Sequence, residues 1–176
     1  HLNWLHPENM HLPLKYLGER SSDEIDTTIA QLHTIKLPAT EKTLHIPLAG
    51  LGFSPNSHSP RIFWVGVENT TILRRLASLV DSALRPIGVA PEVRPYAPHL
   101  TLASISRETP LDDLFRAIED LPSREFGSLT PGYFSLFQSG IIDNEPIYRK
   151  VADFPLFKQK GGRLLYPKVG RSLRLG

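Results

Sequence analysis

Two short segments of the chain repeat a histidine within an alternating apolar pattern. They are HLPL at residues 11–14 and HLTL at residues 99–102, so His11 and His99 lie 88 residues apart, about half of the 176-residue chain. An imidazole titrates near neutral pH and serves as a general acid or a general base. Each copy follows a polar loop that contains proline and leads toward a predicted helix. The repeat predicts two similar lobes, each presenting one histidine.

The spacing of the second copy places two chemically useful groups on one surface. Residues i and i+2 of a strand point to the same side, so His99 and Thr101 share a face while Leu100 and Leu102 point to the other. If the lobes face each other across a cleft, the two imidazoles flank one small site. In-line displacement at phosphorus needs a base on the attacking water and an acid on the leaving oxygen. The Thr101 hydroxyl can donate to a phosphate oxygen without a metal.

Several other chemistries lack support in the sequence. Zinc is the rival use of paired histidines, but a zinc site needs three or more ligands at defined spacing, and no HExxH segment is present. The chain has no cysteine, which excludes disulfides and thiolate nucleophiles and is typical of a cytoplasmic protein. The Walker, GxGxxG and GxSxG motifs are also missing. We therefore expect neither a metal nor a cofactor.

A few further side chains are weaker candidates for contacts with a substrate. Lys15 shares the predicted face of His11, where it could contact a phosphate or simply be solvated. Trp4, Tyr96 and Tyr133 could stack on a base at the rim of the cleft, although packing is the common role of aromatic residues. Surface or packing roles are expected for the remaining histidines, which are His1, His6, His33, His45 and His58.

The elements that must position these residues follow from the apolar periodicity. Strands are predicted at Met10–Leu17, Thr43–Phe53, Arg61–Val67, His99–Ile105, Tyr133–Gln138 and Ile147–Phe154. Helices are predicted from Ser21 or Ser22 to about Ile35, from Asn69 or Thr70 to Arg85, and at Leu111–Leu121. Because the strands and helices are mixed without strict βαβ repetition, the order favours an α+β fold.

Length and charge indicate one domain followed by a basic tail. The 40% hydrophobic and 22% charged composition is that of a globular protein, and no apolar run reaches the roughly 20 residues that span a bilayer. No signal peptide is visible at the start of the chain. Residues 157–176 hold six of the 20 basic residues and none of the 18 acidic ones. We predict a domain over residues 1–156 and a tail that contacts phosphate backbones or remains solvated.

Four segments together resemble a known superfamily. They are PENMHLPLKYLGE at 7–19, RIFWVGV at 61–67, APHLTLA at 97–103, and the closing pair YFSLFQSG and IYRKVADFPL. They are similar to 2H phosphoesterases, and most closely to the bacterial and archaeal RNA 2′,3′-cyclic phosphodiesterases, also called 2′-5′ RNA ligases. The likeness runs in order from about Trp4 to Leu156. It implies a bilobal α+β fold with two pseudo-symmetric antiparallel-sheet lobes, helices outside and a central cleft.

The resemblance also implies an activity and residue roles. Members open the 2′,3′-cyclic phosphate of RNA ends or nucleotides to a 2′-phosphate, with reversible 2′-5′ joining of RNA. By this likeness His11 would protonate the leaving 3′ oxygen, His99 would activate water, and Thr101 would hold the phosphate. The two histidine roles are nearly interchangeable on sequence alone. We further predict a monomeric cytoplasmic enzyme without a membrane partner.

The sequence departs from the family pattern at three places. Pro13 stands where the first motif normally has threonine or serine, and it has neither a hydroxyl nor a backbone N–H. Ser104 stands where many relatives have arginine. The first strand and helix of relatives are expected to be missing, and the tail segment Arg163–Val169 is predicted to cover the sheet edge left open.

These departures leave two alternatives to an active enzyme. In the first, the replacements Pro13 and Ser104 have weakened catalysis, and a module of the same fold binds a nucleotide or an RNA end. The basic tail favours a general RNA-binding protein whose affinity falls steeply with salt.

Overall fold

The computed structural model describes residues 2–38, 40–142, 145–157 and 173–175. Its strands are β1 (Leu2–Trp4), β2 (Ile46–Ser54), β3 (Ile62–Val67), β4 (His99–Ile105), β5 (Glu125–Leu129), β6 (Tyr133–Ile142), β7 (Glu145–Pro155) and β8 (Leu173–Leu175). Its helices are α1 (Ser22–His33), α2 (Thr71–Leu84) and α3 (Asp112–Glu119), with 3₁₀ turns at Pro7–Asn9 and Arg85–Ile87.

The strands form two sheets. The larger sheet has five antiparallel strands in the order β1-β4-β3-β2-β5. The smaller sheet has the order β7-β6-β8, in which β6 and β7 are antiparallel and β8 is parallel to β6. Two sheets combined with three helices confirm the predicted α+β class.

Strand β4 has the bounds that its alternating pattern predicts. Leu100 points into the main core, while His99 and Thr101 lie half-buried on the opposite face. The register opposes Gly66 to His99 and Trp64 to Thr101 on the neighbouring strand β3. The second histidine motif is thus held against β3, while the edge strand β1 pairs with β4 only beyond the motif, at residues 103–105.

Helices α1 and α2 cover the main core. The apolar stripe of α2 includes Leu73, Leu76 and Val80, which are buried in one cluster with Leu12 and Leu14 of the first motif. A smaller cluster around Phe63, Ala103 and Ile105 packs under α3. Leu12 and Leu14, on either side of Pro13, therefore anchor the first motif in the main core.

The strand predicted at Met10–Leu17 is wrong. Within this segment only Pro13 is paired, in an isolated bridge. Proline has no N–H to donate to a ladder, so residue 13 interrupts regular pairing. The short strand β1 and the exposed strand β5 were not predicted, because neither carries the alternation of apolar residues that marks a half-buried strand.

The predicted tail strand at Arg163–Val169 lies outside the described residues. A different tail segment, β8, pairs with β6 in the register Phe134 to Leu173. In the part of the chain that the structure covers, no helix has the length and apolar character needed to cross a bilayer.

Candidate active site

The two motif histidines have the same hydrogen-bonding geometry. The Nδ1 atom of His11 lies 2.7 Å from the carbonyl oxygen of Asn9, and that of His99 lies 3.0 Å from the carbonyl oxygen of Ala97. A carbonyl only accepts, so each Nδ1 must donate and each neutral ring carries its lone pair on Nε2. In both motifs the acceptor is two residues before the histidine. The pseudo-symmetry predicted from the repeat therefore extends to the ring tautomer.

His99 lies beside an immobilised indole. The ring centroids of Trp64 and His99 are 5.5 Å apart with an interplanar angle of 40°. The Trp64 Nε1–H donates to the Ser54 hydroxyl at 3.0 Å, and the ring covers Gly52, where any Cβ would overlap it. Glycine at residue 52 is thus required for the indole to lie against β2, and this contact sets one wall beside His99.

His11 contacts the smaller sheet. Its ring meets the ring of Tyr148 on β7 edge to face, with centroids 4.7 Å apart and an angle of 66°. The Asn9 side-chain amide donates to the carbonyl oxygen of Pro146 at 3.1 Å, which fastens the turn before His11 to the same strand. The first motif is therefore positioned by β7, whereas the second belongs to the larger sheet.

A buried phenol joins the two motifs. The Tyr96 hydroxyl donates to the carbonyl oxygen of Pro13 at 2.9 Å. Tyr96 packs against the main core, and burial raises the pKa of its phenol above the ordinary value, so the group remains a donor at neutral pH. The base-stacking role predicted for Tyr96 stays a prediction, since no contact with a base tests it. The contact of Tyr96 with Pro13 brings the backbones of the two motifs together.

The phosphate contact predicted for Lys15 stays a prediction, and its ammonium has other partners in this structure. The Lys15 ammonium is 2.6 Å from the Asp81 carboxylate and donates to the carbonyl oxygen of Ala90 at 2.8 Å. The residue is only 5% exposed. Asp81 also accepts from Arg85 and from the Glu92 amide. Regular strand alternation would have kept Lys15 on the His11 face, but this buried pair holds its ammonium against α2.

The remaining predicted residues are not tested by contacts to a substrate. Tyr133 is half-buried on β6, with the Lys150 ammonium 5.2 Å from its ring centroid. Trp4 is 58% exposed at the sheet edge and meets Phe63 edge to face. Ser104 is exposed on β4. Among the residues that the structure describes, no three His, Asp or Glu side chains gather so as to hold a metal ion.

Sequence reasoning missed Trp64 and Tyr148. Both belong to segments that carry the family resemblance, but each was assigned only to a predicted strand. For Trp64, the glycine at residue 52 on the neighbouring strand is the signal that could have been used, because a bulky ring opposite a glycine indicates close packing. No local pattern indicates the approach of Tyr148 to His11, since 137 residues separate them.

Comparison with known proteins finds relatives over most of the chain. The family model described as the 2′-5′ RNA ligase superfamily matches residues 1–127. A protein named RNA 2′,3′-cyclic phosphodiesterase from Archaeoglobus fulgidus is 30% identical, covering 84% of this chain and 80% of its own. One of the same name from Aeropyrum pernix is 32% identical, covering 81% and 79%.

Solved structures show the same fold. A Thermus thermophilus protein superposes with a TM-score of 0.71 at 26% identity, covering 88% of this chain and 82% of its own. The Escherichia coli protein LigT, solved in complex with 3′-AMP, superposes with a TM-score of 0.69 at 23% identity, covering 88% and 81%.

This chain belongs to the 2′-5′ RNA ligase superfamily, and the predicted family and fold are confirmed. The curated relatives that it resembles are RNA 2′,3′-cyclic phosphodiesterases.

Proposed function

We propose that this protein is a metal-independent phosphodiesterase that opens the 2′,3′-cyclic phosphate of RNA ends or nucleotides to a 2′-phosphate, with reversible 2′-5′ joining of RNA. The names of its relatives support the substrate class. The observation that carries the mechanism is the matched pair of Nδ1–H to carbonyl hydrogen bonds at His11 and His99. Two imidazoles held in the same tautomer each present Nε2 to a substrate, where one can accept a proton and the other can donate one.

The proposed reaction is a single in-line displacement. His99 in its neutral form takes a proton from water through Nε2 as the water oxygen attacks phosphorus. The bond between phosphorus and the 3′ oxygen breaks, and protonated His11 delivers its Nε2 proton to that oxygen. The Thr101 hydroxyl donates to a non-bridging oxygen, where negative charge increases in the transition state. The product is a 2′-phosphate with a free 3′ hydroxyl, and the two histidines have exchanged protonation states.

Regiochemistry and histidine dependence test this proposal together. Phosphorus NMR of a 2′,3′-cyclic mononucleotide incubated with wild type should show only the 2′-phosphate. His11→Ala and His99→Ala should each lose activity by a factor of roughly 10² to 10⁴. His45→Ala is the matched control, because His45 is exposed just before β2 and outside this site. A 3′-phosphate product, or full activity in either motif variant, would contradict the assignment.

Pro13 supports a second candidate function. One of the two motif hydroxyls of the family is replaced by a group that cannot donate. In the alternative, the protein binds a nucleotide or an RNA end with little turnover. Tight binding of a 2′-nucleotide by a wild type that shows no hydrolysis would favour it.

Cytoplasmic location and a monomeric state stay predictions.

A further inference from the structure

The first motif has no side chain of its own to hold a phosphate. Thr101 supplies a hydroxyl two residues after His99, whereas the equivalent residue after His11 is Pro13. A transferring phosphoryl group has more than one charged oxygen, and donors from both sides stabilise the transition state better than donors from one. A hydroxyl on the His11 side would therefore supply what the first motif lacks.

Tyr148 is the phenol in contact with the first histidine. Its ring lies edge to face with the His11 ring at 4.7 Å between centroids, and it is half-buried. The Asn9 amide fastens the turn before His11 to Pro146, two residues from Tyr148. The distance between this phenol and this imidazole is thus set by a backbone anchor as well as by ring packing.

The face of β6 and β7 that carries Tyr148 is turned away from the core. Phe134 and Phe154 are fully buried and stack on each other on the core side. The register opposes Tyr148 to Ser139 and, one step along the same face, Lys150 to Phe137. The Lys150 ammonium lies over the Phe137 ring and is itself exposed. Tyr148 therefore belongs to a polar and aromatic surface.

We propose that the Tyr148 hydroxyl donates to the phosphate on the His11 side and replaces the hydroxyl that Pro13 lacks. This inference rests on the proposed function, since the phosphate is that of the cyclic substrate. Tyr148 contacts the reacting group and is then a catalytic residue. A single donor of this kind contributes a factor of about 10² to 10³ in turnover.

A double-mutant cycle tests the replacement. Tyr148→Phe keeps the ring against His11 and removes only the hydroxyl, so we expect kcat to fall about 10²-fold while the thermal midpoint stays unchanged. Pro13→Thr restores the family hydroxyl. In that background Tyr148→Phe should cost roughly tenfold or less, because the restored hydroxyl and Tyr148 then serve the same phosphate. Thr27→Val, which removes an exposed hydroxyl from α1, is the control and should keep turnover within about threefold of wild type.

Two outcomes would overturn the inference. One is full turnover in Tyr148→Phe, and the other is an equal loss in the wild-type and Pro13→Thr backgrounds. Calorimetric binding of 2′-AMP separates this inference from the proposed function, because we expect Tyr148→Phe to weaken binding about tenfold. If wild type binds 2′-AMP in this Tyr148-dependent way but does not turn over, the proposed function fails and the phosphate contact stands. Equal affinity for 2′-AMP in both proteins contradicts the contact.

Discussion

The Tyr96 hydroxyl lies 2.9 Å from the carbonyl oxygen of Pro13 and links two motifs through residues that are 83 positions apart in sequence. Pro13 is two residues after His11, and Tyr96 is three residues before His99. One hydrogen bond thus ties the backbone of the first motif to the segment before the second, in addition to the packing of Leu12, Leu14 and Leu100 in one core. Proton transfer to opposite sides of one phosphorus requires a fixed separation, since small displacements of reacting groups cost large factors in rate.

Tyr96→Phe should lower both stability and activity. The substitution leaves the Pro13 carbonyl without this donor, so we expect the free energy of unfolding in urea to fall by about 1–3 kcal/mol. Tyr16→Phe, which removes a hydroxyl from a mostly exposed side chain, should change it by no more than about 0.5 kcal/mol. An unchanged unfolding midpoint in Tyr96→Phe would show that the link contributes nothing.

The buried pair of Lys15 and Asp81 should make stability depend on pH. Burial raises the pKa of Asp81, but hydrogen bonds from Lys15, the Glu92 amide and Arg85 lower it by more. The net effect is a pKa that falls from 3.8 to about 2. Because the folded pKa lies below the unfolded value, the stabilisation is present above about pH 4 and lost as pH falls through about 2. The stability difference between wild type and Asp81→Asn should therefore shrink from pH 5 to pH 2.

The exposed pair of Asp113 and Arg116 offers the control for this measurement. Asp113→Asn should track wild type across the same pH range, because exposed pairs contribute little. At neutral pH, Lys15→Met should cost on the order of 3 kcal/mol by leaving a buried carboxylate short of a partner. A pH-independent difference for Asp81→Asn would contradict the ion-pair account.

Gly52→Ala should displace the Trp64 indole from its position beside His99. A methyl group at residue 52 overlaps that ring, so either the indole or strand β2 must move. We expect turnover to fall on the order of tenfold or more. In a Trp4→Phe background the fluorescence reports Trp64 alone and should change with the substitution. Gly132→Ala is the control, since a methyl group there meets no atom within 4 Å.

Removal of residues 158–176 should lower thermal stability. Strand β8 in this tail pairs with β6, and its loss leaves that strand with an open edge. We expect the midpoint of thermal unfolding to fall by about 3 °C for each kcal/mol lost. Equal midpoints for the shortened and full chains would show that the tail does not support the sheet.

The sequence predicted correctly those elements whose structure depends on neighbouring residues in the chain. The alternation in β4 predicted its bounds and the shared face of His99 and Thr101. A helix start at Ser21 or Ser22 was predicted from the acidic residues that follow, and the structure has Ser21 as the N-cap, with a capping box between Ser21 and Glu24. In these cases the interactions that decide the structure lie within one turn or one strand.

The contacts that were not predicted belong to side chains whose partners are distant in sequence. Lys15 was placed on the His11 face because its partner Asp81 lies 66 residues away and leaves no local pattern. Tyr96 was predicted at the rim because its acceptor is a backbone carbonyl, which sequence type does not reveal. The strand prediction around Pro13 was wrong because it rested on the alternating apolar residues and neglected that proline has no N–H for strand pairing. Tertiary contacts, not propensities, decided these positions.

The pH dependence of turnover with EDTA present tests the two-histidine mechanism most directly. Hydrolysis of a 2′,3′-cyclic mononucleotide should follow a bell from about pH 5 to 9 in wild type, because one imidazole must be neutral and the other protonated. His11→Ala and His99→Ala should each remove one limb together with most of the rate. A rate that stays flat with pH, or that survives either substitution, would contradict the assignment of His11 and His99 as acid and base.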